Sequence, residues 1–265
     1  RHGDQQMNTT DQQYTEVIVE RKGHVDVITI DRPEARNALT HTTYAELQRA
    51  VETSTARCIV ITATDPAFCS GDDVKQIMVK AGEGTAERLT NEPRLTPAAG
   101  ALLATDIPVI AAVNGTAAGA GANLALVCDI VIAAESASFI QAFSRIGLIP
   151  DAGGTWALPR TIGLQRAMGA ALFAEKITAA QAADWGMIWE MAPDDDFEAL
   201  WQARAKHLAS GPSEAFKRIK QVMRASTGNS LEEQLMLEGQ LQGQCGKSRD
   251  FKEGVVAFME KRPAV

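Results

Sequence analysis

The sequence contains few residues of the kinds that hold metals or disulfides. Its four histidines lie outside the motifs described below, and no spacing typical of metal ligands occurs. No two of its cysteines form a CxxC pair or a cluster with histidine. This spacing favours reduced thiols in a cytoplasmic protein over a disulfide framework, and we expect no metal site. The four cysteines are Cys58, Cys69, Cys128 and Cys245.

Positive charge and long apolar runs are also scarce. The 26 Lys and Arg residues are outnumbered by 33 Asp and Glu residues, which gives a net charge of −7. This acidic balance argues against nucleic acid or an anionic membrane as the main partner. No apolar run approaches the roughly 20 residues of a membrane span. Residues 1–13 lack the apolar core of a signal peptide, and we expect them to form a mobile N-terminal segment.

Strand and helix patterns alternate along residues 14–195. The runs "CIVITAT", "PVIAAV" and "DIVIAA" have the length and apolar content of strands buried on both faces. Thr40 is a predicted N-cap of the helix that follows the first two strands. This alternation predicts an α/β core with mostly parallel strands. Residues 196–265 form amphipathic helical patterns, and we expect this helical region to pack on a neighbouring copy in a homo-oligomer.

Two turns rich in small residues connect a predicted strand to a predicted helix. They are "FCSGDD" (68–73) and "NGTAAGAGAN" (114–123). The first turns of both helices present unpaired N–H groups and the positive end of the helix dipole. Two such N–H groups that converge would form an oxyanion hole for an enolate or a tetrahedral oxygen. Each turn alone is equally consistent with tight strand–helix packing. "GAGA" differs from GxGxxG, which disfavours a dinucleotide fold.

Five longer motifs follow one another along the chain: "RPEARNAL", "AFCSGDDV", "PVIAAVNGTAAGAGANLALVCDIVIAAESASF", "GLIPDAGGTWALPRTIG" and "SRDFKEGVVAFMEKR". On these motifs the chain resembles the crotonase superfamily, the enoyl-CoA hydratases and isomerases, from about Val17 to the C-terminus. It implies a crotonase-like spiral of ββα units with a C-terminal helical trimerisation region. It also implies an acyl-CoA thioester substrate, no separate cofactor because coenzyme A is part of the substrate, and a homotrimer or dimer of trimers.

The resemblance also assigns binding residues. The two oxyanion-hole N–H groups fall on Asp72 and Ala120. Only the main chain acts there, so an Asp side chain at position 72 is tolerable if it points away. The residues that would line the coenzyme A channel are Ala35, Arg36, Ser70, Asp73 and Val74.

The acid–base residues of a hydratase are missing from their expected positions. Hydratases of the family use two glutamates, which fall here on Asn123 and Phe143. Neither side chain takes up a proton at neutral pH. Activation of water by paired carboxylates is therefore not available at these two positions.

Asp151, in "LIPDAGG", is the candidate catalytic residue instead. Isomerases and a dehalogenase of the superfamily place a working carboxylate at this turn, and the alternative is that Asp151 is the N-cap of the next helix. The predicted acyl pocket around it contains Asn123, Phe143, Ile149 and Trp156, although Trp156 is equally consistent with an ordinary core aromatic residue.

The predicted function is that of an acyl-CoA isomerase. The amino-acid sequences of the motifs are most similar to those of the ring-epoxide phenylacetyl-CoA isomerases of phenylacetate degradation. Asp151 would move a proton along an oxyanion-stabilised enolate, either to shift a double bond or to rearrange an aromatic-ring epoxide. Two alternatives stay open: an enoyl-CoA hydratase with atypical water activation, and a non-catalytic acyl-CoA-binding paralogue.

Overall fold

A computed structural model describes residues 14–73, 75 and 96–264 of the chain. The predicted N-terminal segment 1–13 and the predicted coenzyme A contact Val74 lie outside the described residues. Within the part that is described, no helix combines the length and the apolar character needed to cross a membrane.

The strands follow the apolar runs of the sequence. Each run is bounded by glycine, proline or polar residues, and β5 is buried along its whole length. In chain order the strands of the described residues are β1 Val17–Lys22, β2 Val25–Ile30, β3 Cys58–Ala63, β4 Ala67–Cys69, β5 Val109–Val113, β6 Thr116–Ala118, β7 Ile130–Ala134, β8 Ser138–Ile140, β9 Ile177–Thr178 and β10 Glu190–Ala192.

These strands form two sheets. The larger has the order β1-β2-β3-β5-β7-β10, and the smaller has the order β4-β6-β8-β9. Strands β1 and β2 form an antiparallel hairpin, whereas β2, β3, β5, β7 and β10 pair in parallel. The prediction of an α/β core with mostly parallel strands is therefore confirmed.

The chain passes repeatedly from the larger sheet to the smaller one. Strands β3, β5 and β7 lie in the larger sheet, and each is followed by a strand of the smaller sheet, β4, β6 or β8. This repetition is the predicted spiral of ββα units. Strands β4 and β6 are parallel neighbours, with Ala67 opposite Thr116 and Cys69 opposite Ala117. Because parallel strands end at the same edge, the segments that leave β4 and β6 start side by side.

The helices cover the two sheets. In chain order the helices of the described residues are α1 His41–Glu52, α2 Thr96–Ala104, α3 Ala120–Leu126, α4 Gly154–Phe173, α5 Ala179–Asp184, α6 Asp194–Ser210, α7 Ser213–Ala225, α8 Leu231–Cys245 and α9 Arg249–Glu260. Helix α1 begins where the sequence predicts, because the Thr40 hydroxyl accepts a hydrogen bond from the N–H of Thr43 and caps the helix.

The C-terminal helices are attached to the core in two ways. Helix α6 places Phe197 and Trp201 in the hydrophobic core, so the first helix of the predicted C-terminal region packs on the larger sheet. Helix α7 is held by Asp129, whose carboxylate lies 2.8 Å from Lys220 Nζ and 2.6 Å from Arg224 Nη2. Phe251, Val255 and Phe258 of α9 are exposed in the single chain, so the role of this helix as an oligomer contact stays a prediction.

Candidate active site

The two glycine-containing turns meet at the edge of the smaller sheet. A Cβ atom added to Gly71 would lie 3.1 Å from the carbonyl oxygen of Ala118 and 3.7 Å from the nitrogen of Ala120. Gly71 also has a φ of +97°. Only glycine suits this combination of close approach and backbone conformation. The structure therefore brings the segment 68–73 against the start of α3.

The orientation of the Asp72 main chain follows from an isolated parallel bridge to Leu39. The N–H of Leu39 donates to the Gly71 carbonyl at 2.8 Å, and the N–H of Asp73 donates to the Leu39 carbonyl at 2.9 Å. Leu39 thus bonds to the residues on both sides of Asp72. In such a bridge the N–H of the central residue points away from the partner strand. The turn that contains Asp72 therefore lies against the start of α3, and convergence of the Asp72 and Ala120 N–H groups in an oxyanion hole stays a prediction.

The two predicted segments of the coenzyme A channel are joined to each other. The N–H of Ser70 donates to the Arg36 carbonyl at 3.1 Å, and the Ser70 hydroxyl donates to the Ala35 carbonyl at 3.2 Å. Ser70 is exposed, as a binding surface requires. The Asp73 carboxylate lies 3.2 Å from Arg32 Nη2, so this side chain fastens the turn to the neighbouring loop.

Asp151 is exposed in the single chain, immediately before α4. Its carbonyl oxygen accepts two hydrogen bonds of 2.8 Å, from the Asn123 side chain and from the N–H of Gly154. The N-cap of α4 is Gly153, with a φ of +82° and no side-chain cap. The alternative that Asp151 is the helix N-cap is therefore wrong, because a left-handed glycine occupies the capping position.

Asn123, predicted to line the acyl pocket, is fully buried on α3. Its side-chain oxygen accepts a hydrogen bond of 2.8 Å from Gln141 Nε2, while its side-chain N–H donates to Asp151. A Cβ added to Gly154 would lie 2.2 Å from Asn123 Nδ2. Asn123 thus connects the start of α3, the end of β8 and the main chain of the candidate catalytic residue.

The other three predicted acyl-pocket residues are in different environments. Phe143 is buried, and its ring is 3.7 Å from a Cβ added to Gly119, in the turn 114–123. Ile149 is 78% exposed and Trp156 is 43% exposed. The Arg160 guanidinium lies 4.5 Å from the centroid of the Trp156 ring, and Trp156 lines a cavity of about 430 Å³ between α4 and α7. Of these three residues, Phe143 is therefore the one that lies beside the turn 114–123.

Tyr44, which lies in none of the sequence motifs, contacts the turn 68–73. Tyr44 is buried on α1, and its hydroxyl donates a hydrogen bond to the Asp72 carboxylate. Burial raises the pKa of Tyr44 above its usual value, the charge of Asp72 and the hydrogen bond to it raise it further, and the charges of Cys69 and Asp151 add to the shift.

One sequence signal could have drawn attention to Tyr44. A tyrosine on the apolar face of a helix buries its ring and still needs a hydrogen-bond partner for its hydroxyl. That signal predicts a polar partner, but it does not identify Asp72, which is 28 residues away. Gln141 was missed for a similar reason, because it is a buried polar residue at the end of an apolar strand.

Known proteins resemble this chain over most of its length. The family model described as enoyl-CoA hydratase/isomerase matches residues 20–265. A "probable enoyl-CoA hydratase" of Rhodobacter capsulatus is 56% identical over 243 residues, which cover 89% of this chain and 92% of the relative. The 1,2-epoxyphenylacetyl-CoA isomerase of Escherichia coli is 44% identical over 243 residues, which cover 90% of this chain and 93% of the relative.

A solved structure supports the same similarity at the level of the fold. The crystal structure of an enoyl-CoA hydratase from Polaromonas sp. JS666 superposes with a TM-score of 0.89 and is 30% identical, covering 94% of this chain and 98% of that chain. The similarity therefore extends over nearly the whole length of both proteins.

Proposed function

Because this chain belongs to the enoyl-CoA hydratase/isomerase family, we propose that it is an acyl-CoA isomerase in which Asp151 moves the proton. The observation that carries the proposal is the anchoring of Asp151. Its main chain accepts a hydrogen bond from the Asn123 side chain on α3, the helix that begins at Ala120. This contact supports a position of the Asp151 carboxylate near the two proposed oxyanion donors, while Asn123 and Phe143 occupy the positions that the resemblance assigns to the hydratase glutamates.

The proposed reaction uses the main chain and one side chain. The thioester oxygen accepts hydrogen bonds from the N–H groups of Asp72 and Ala120, which makes the hydrogen on C2 more acidic. Asp151 removes that proton from a 3-enoyl thioester, the resulting dienolate is stabilised at its oxygen, and Asp151 returns the proton at C4 to give the conjugated 2-enoyl product. One carboxylate suffices because no water is added.

One relative supports a narrower substrate class, and the exposed apolar face of α9 supports an assembly. The Escherichia coli relative is named as an isomerase of 1,2-epoxyphenylacetyl-CoA, which supports an aromatic-ring epoxide thioester of phenylacetate catabolism as a further substrate.

We also propose a homotrimer or a dimer of trimers. The apolar stripe of α9, formed by Phe251, Val255 and Phe258, is 53%, 41% and 85% exposed in the single chain and would be covered in such an assembly.

A second candidate function is hydration of enoyl-CoA, with the carboxylate of Asp72, in the turn that lies against the start of α3, as a second acid in place of the two glutamates. The 56% identical relative is also named as a hydratase. In this alternative the Asp72–Asp151 pair would activate the water.

Two substrates and one variant distinguish these functions. A 3-enoyl-CoA that becomes conjugated gains the ultraviolet absorbance of the 2-enoyl thioester, whereas hydration of a 2-enoyl-CoA removes that absorbance. We expect the first reaction to dominate and Asp151→Asn to slow it by about 10²–10⁴-fold. Asp195→Asn, at an exposed aspartate at the start of α6, is the matched control and should keep full activity.

The remaining outcomes assign the alternatives. Faster hydration than isomerisation by the unmodified protein would favour the hydratase. Binding of both thioesters without turnover of either would favour the non-catalytic acyl-CoA-binding paralogue.

A further inference from the structure

The proposed oxyanion site contains an electrostatic conflict. The proposed function assigns one of the two donor N–H groups to Asp72, and this residue also carries a carboxylate. The site must stabilise negative charge on the thioester oxygen as the enolate forms. Two negative charges close together in a partly buried site repel each other more strongly than they would in water. A freely rotating Asp72 side chain would therefore oppose the charge that its own N–H stabilises.

One short segment, residues 39–44, contacts both the main chain of the Asp72 turn and the Asp72 carboxylate. Leu39 at the start of the segment bonds to Gly71 and Asp73 and so fixes the main chain of the turn. Tyr44 at its end donates its hydroxyl to the Asp72 carboxylate and fixes the side chain. The capped start of α1 lies between them, which makes the segment a stable support.

We propose that Tyr44 is a positioning residue that holds the Asp72 carboxylate against α1 and away from the thioester oxygen. The donor N–H of Asp72 can then act on the developing enolate without competition from the carboxylate of the same residue. The inference rests on the proposed function, because it requires an enolate oxygen at the N–H groups of Asp72 and Ala120. It assigns Tyr44 a role through Asp72 and no contact with the substrate.

The surroundings of the hydroxyl are consistent with this role. Burial raises the pKa of Tyr44, and the charges of Asp72 and Asp151 raise it further. The hydroxyl therefore keeps its proton at neutral pH and stays a donor.

The test measures enolate stabilisation without turnover. A 3-oxoacyl-CoA such as acetoacetyl-CoA forms an enolate with its own ultraviolet band, so the bound enolate fraction reports the strength of the oxyanion site. The variants are Tyr44→Phe, Asp72→Ala and the double variant. We expect Tyr44→Phe to weaken enolate stabilisation about tenfold when Asp72 is present and less than about twofold when it is combined with Asp72→Ala. Affinity for a saturated acyl-CoA should change by less than about twofold.

A control and a further variant keep the test decisive. The chain has two tyrosines, and Tyr14, which stacks on Arg49, is the matched control, so Tyr14→Phe should leave the enolate band unchanged. Asp72→Asn removes the charge and keeps the side-chain shape, and it should leave enolate stabilisation at least as strong as in the unmodified protein.

Three results would overturn the inference. The first is an equal loss from Tyr44→Phe with and without Asp72→Ala, which would show that Tyr44 acts only through packing. The second is a tenfold loss of enolate stabilisation in Asp72→Asn. The third is a failure of the unmodified protein to stabilise the enolate at all. That third result would refute the oxyanion site of the proposed function as well, and it is distinguishable because the first two require a working site.

Discussion

Asn123 of α3 donates its side-chain N–H to the carbonyl oxygen of Asp151 at 2.8 Å. The two residues are 28 positions apart, and the same Asn123 side chain accepts a hydrogen bond from Gln141. The position at which a hydratase of this family has an acid is thus occupied by an amide that holds the main chain of the remaining candidate acid. Both hydrogen-bonding groups of that amide are used, which explains why a residue with a donor and an acceptor suits the site.

Asn123→Asp should separate this positioning role from simple packing. The substituted carboxylate can still accept from Gln141, but it has no N–H for the Asp151 carbonyl. Because small misplacements of a catalytic group are costly, we expect kcat for 3-enoyl-CoA isomerisation to fall about 10²-fold with KM nearly unchanged. Steady-state kinetics would measure this. Asn229→Asp, between the C-terminal helices α7 and α8, is the control, and an unaltered kcat in Asn123→Asp would contradict the positioning role.

Gly154→Ala should disrupt the same contact from the other side. The new methyl group would lie 2.2 Å from Asn123 Nδ2, which is too close for any Cβ contact. We expect the free energy of unfolding to fall by about 1–3 kcal/mol. Gly169→Ala, in the same helix α4, meets no atom closer than 4.0 Å and should be neutral or stabilising. Urea unfolding of both variants is the measurement, and equal effects would show that the Asn123 contact is not responsible.

The fold and the positions of the two turns could be predicted from local sequence. Apolar runs such as "CIVITAT" identify strands, and small residues between a strand and a helix favour close approach of the main chain, whereas the assignment of Asp72 and Ala120 depends on the resemblance to the crotonase superfamily. The same reasoning could not find the partner of Asp72. Tyr44 is 28 residues away on another element, and nothing local to either residue encodes that contact.

The N-cap alternative for Asp151 shows a second limit. Aspartate is a common N-cap, so its type and place in "LIPDAGG" are compatible with capping. The cap is instead Gly153, two residues after Asp151. Its φ of +82° lets the chain turn into the helix that begins at Gly154. Likewise, the exposure of Ile149 and Trp156 depends on packing between helices, which the spelling of a motif does not specify.

Asp129→Ala should destabilise the attachment of α7 to the core. The Asp129 carboxylate pairs with Lys220 and Arg224 and also accepts from the N–H of Val109. The Lys220 side chain is only 8% exposed, and its burial lowers its pKa, so removal of its partner leaves a buried cation. We expect a loss of about 3 kcal/mol in the free energy of unfolding, measured by urea denaturation.

The control for this prediction lies on the same helix. Lys217 of α7 pairs with Asp106, whose side chain is 59% exposed. Asp106→Ala should therefore cost less than about 1 kcal/mol, because exposed ion pairs contribute little. Similar losses in the two variants would show that burial of Lys220 does not govern the attachment.

The buried thiols should make the folded state less stable at alkaline pH. Burial raises the pKa of Cys58, Cys69 and Cys128 from 9.0 to about 12 each. Between these values the unfolded chain releases protons that the folded protein retains, so the free energy of unfolding falls as the pH rises from about 9 to about 12. Urea unfolding at pH 7.5 and at pH 10 should detect this.

Cys245 is partly exposed and provides an internal comparison, because a thiol reagent should modify it first in the folded protein. Rapid modification of all four thiols at neutral pH, or a free energy of unfolding that does not change with pH in this range, would contradict the burial on which the prediction depends.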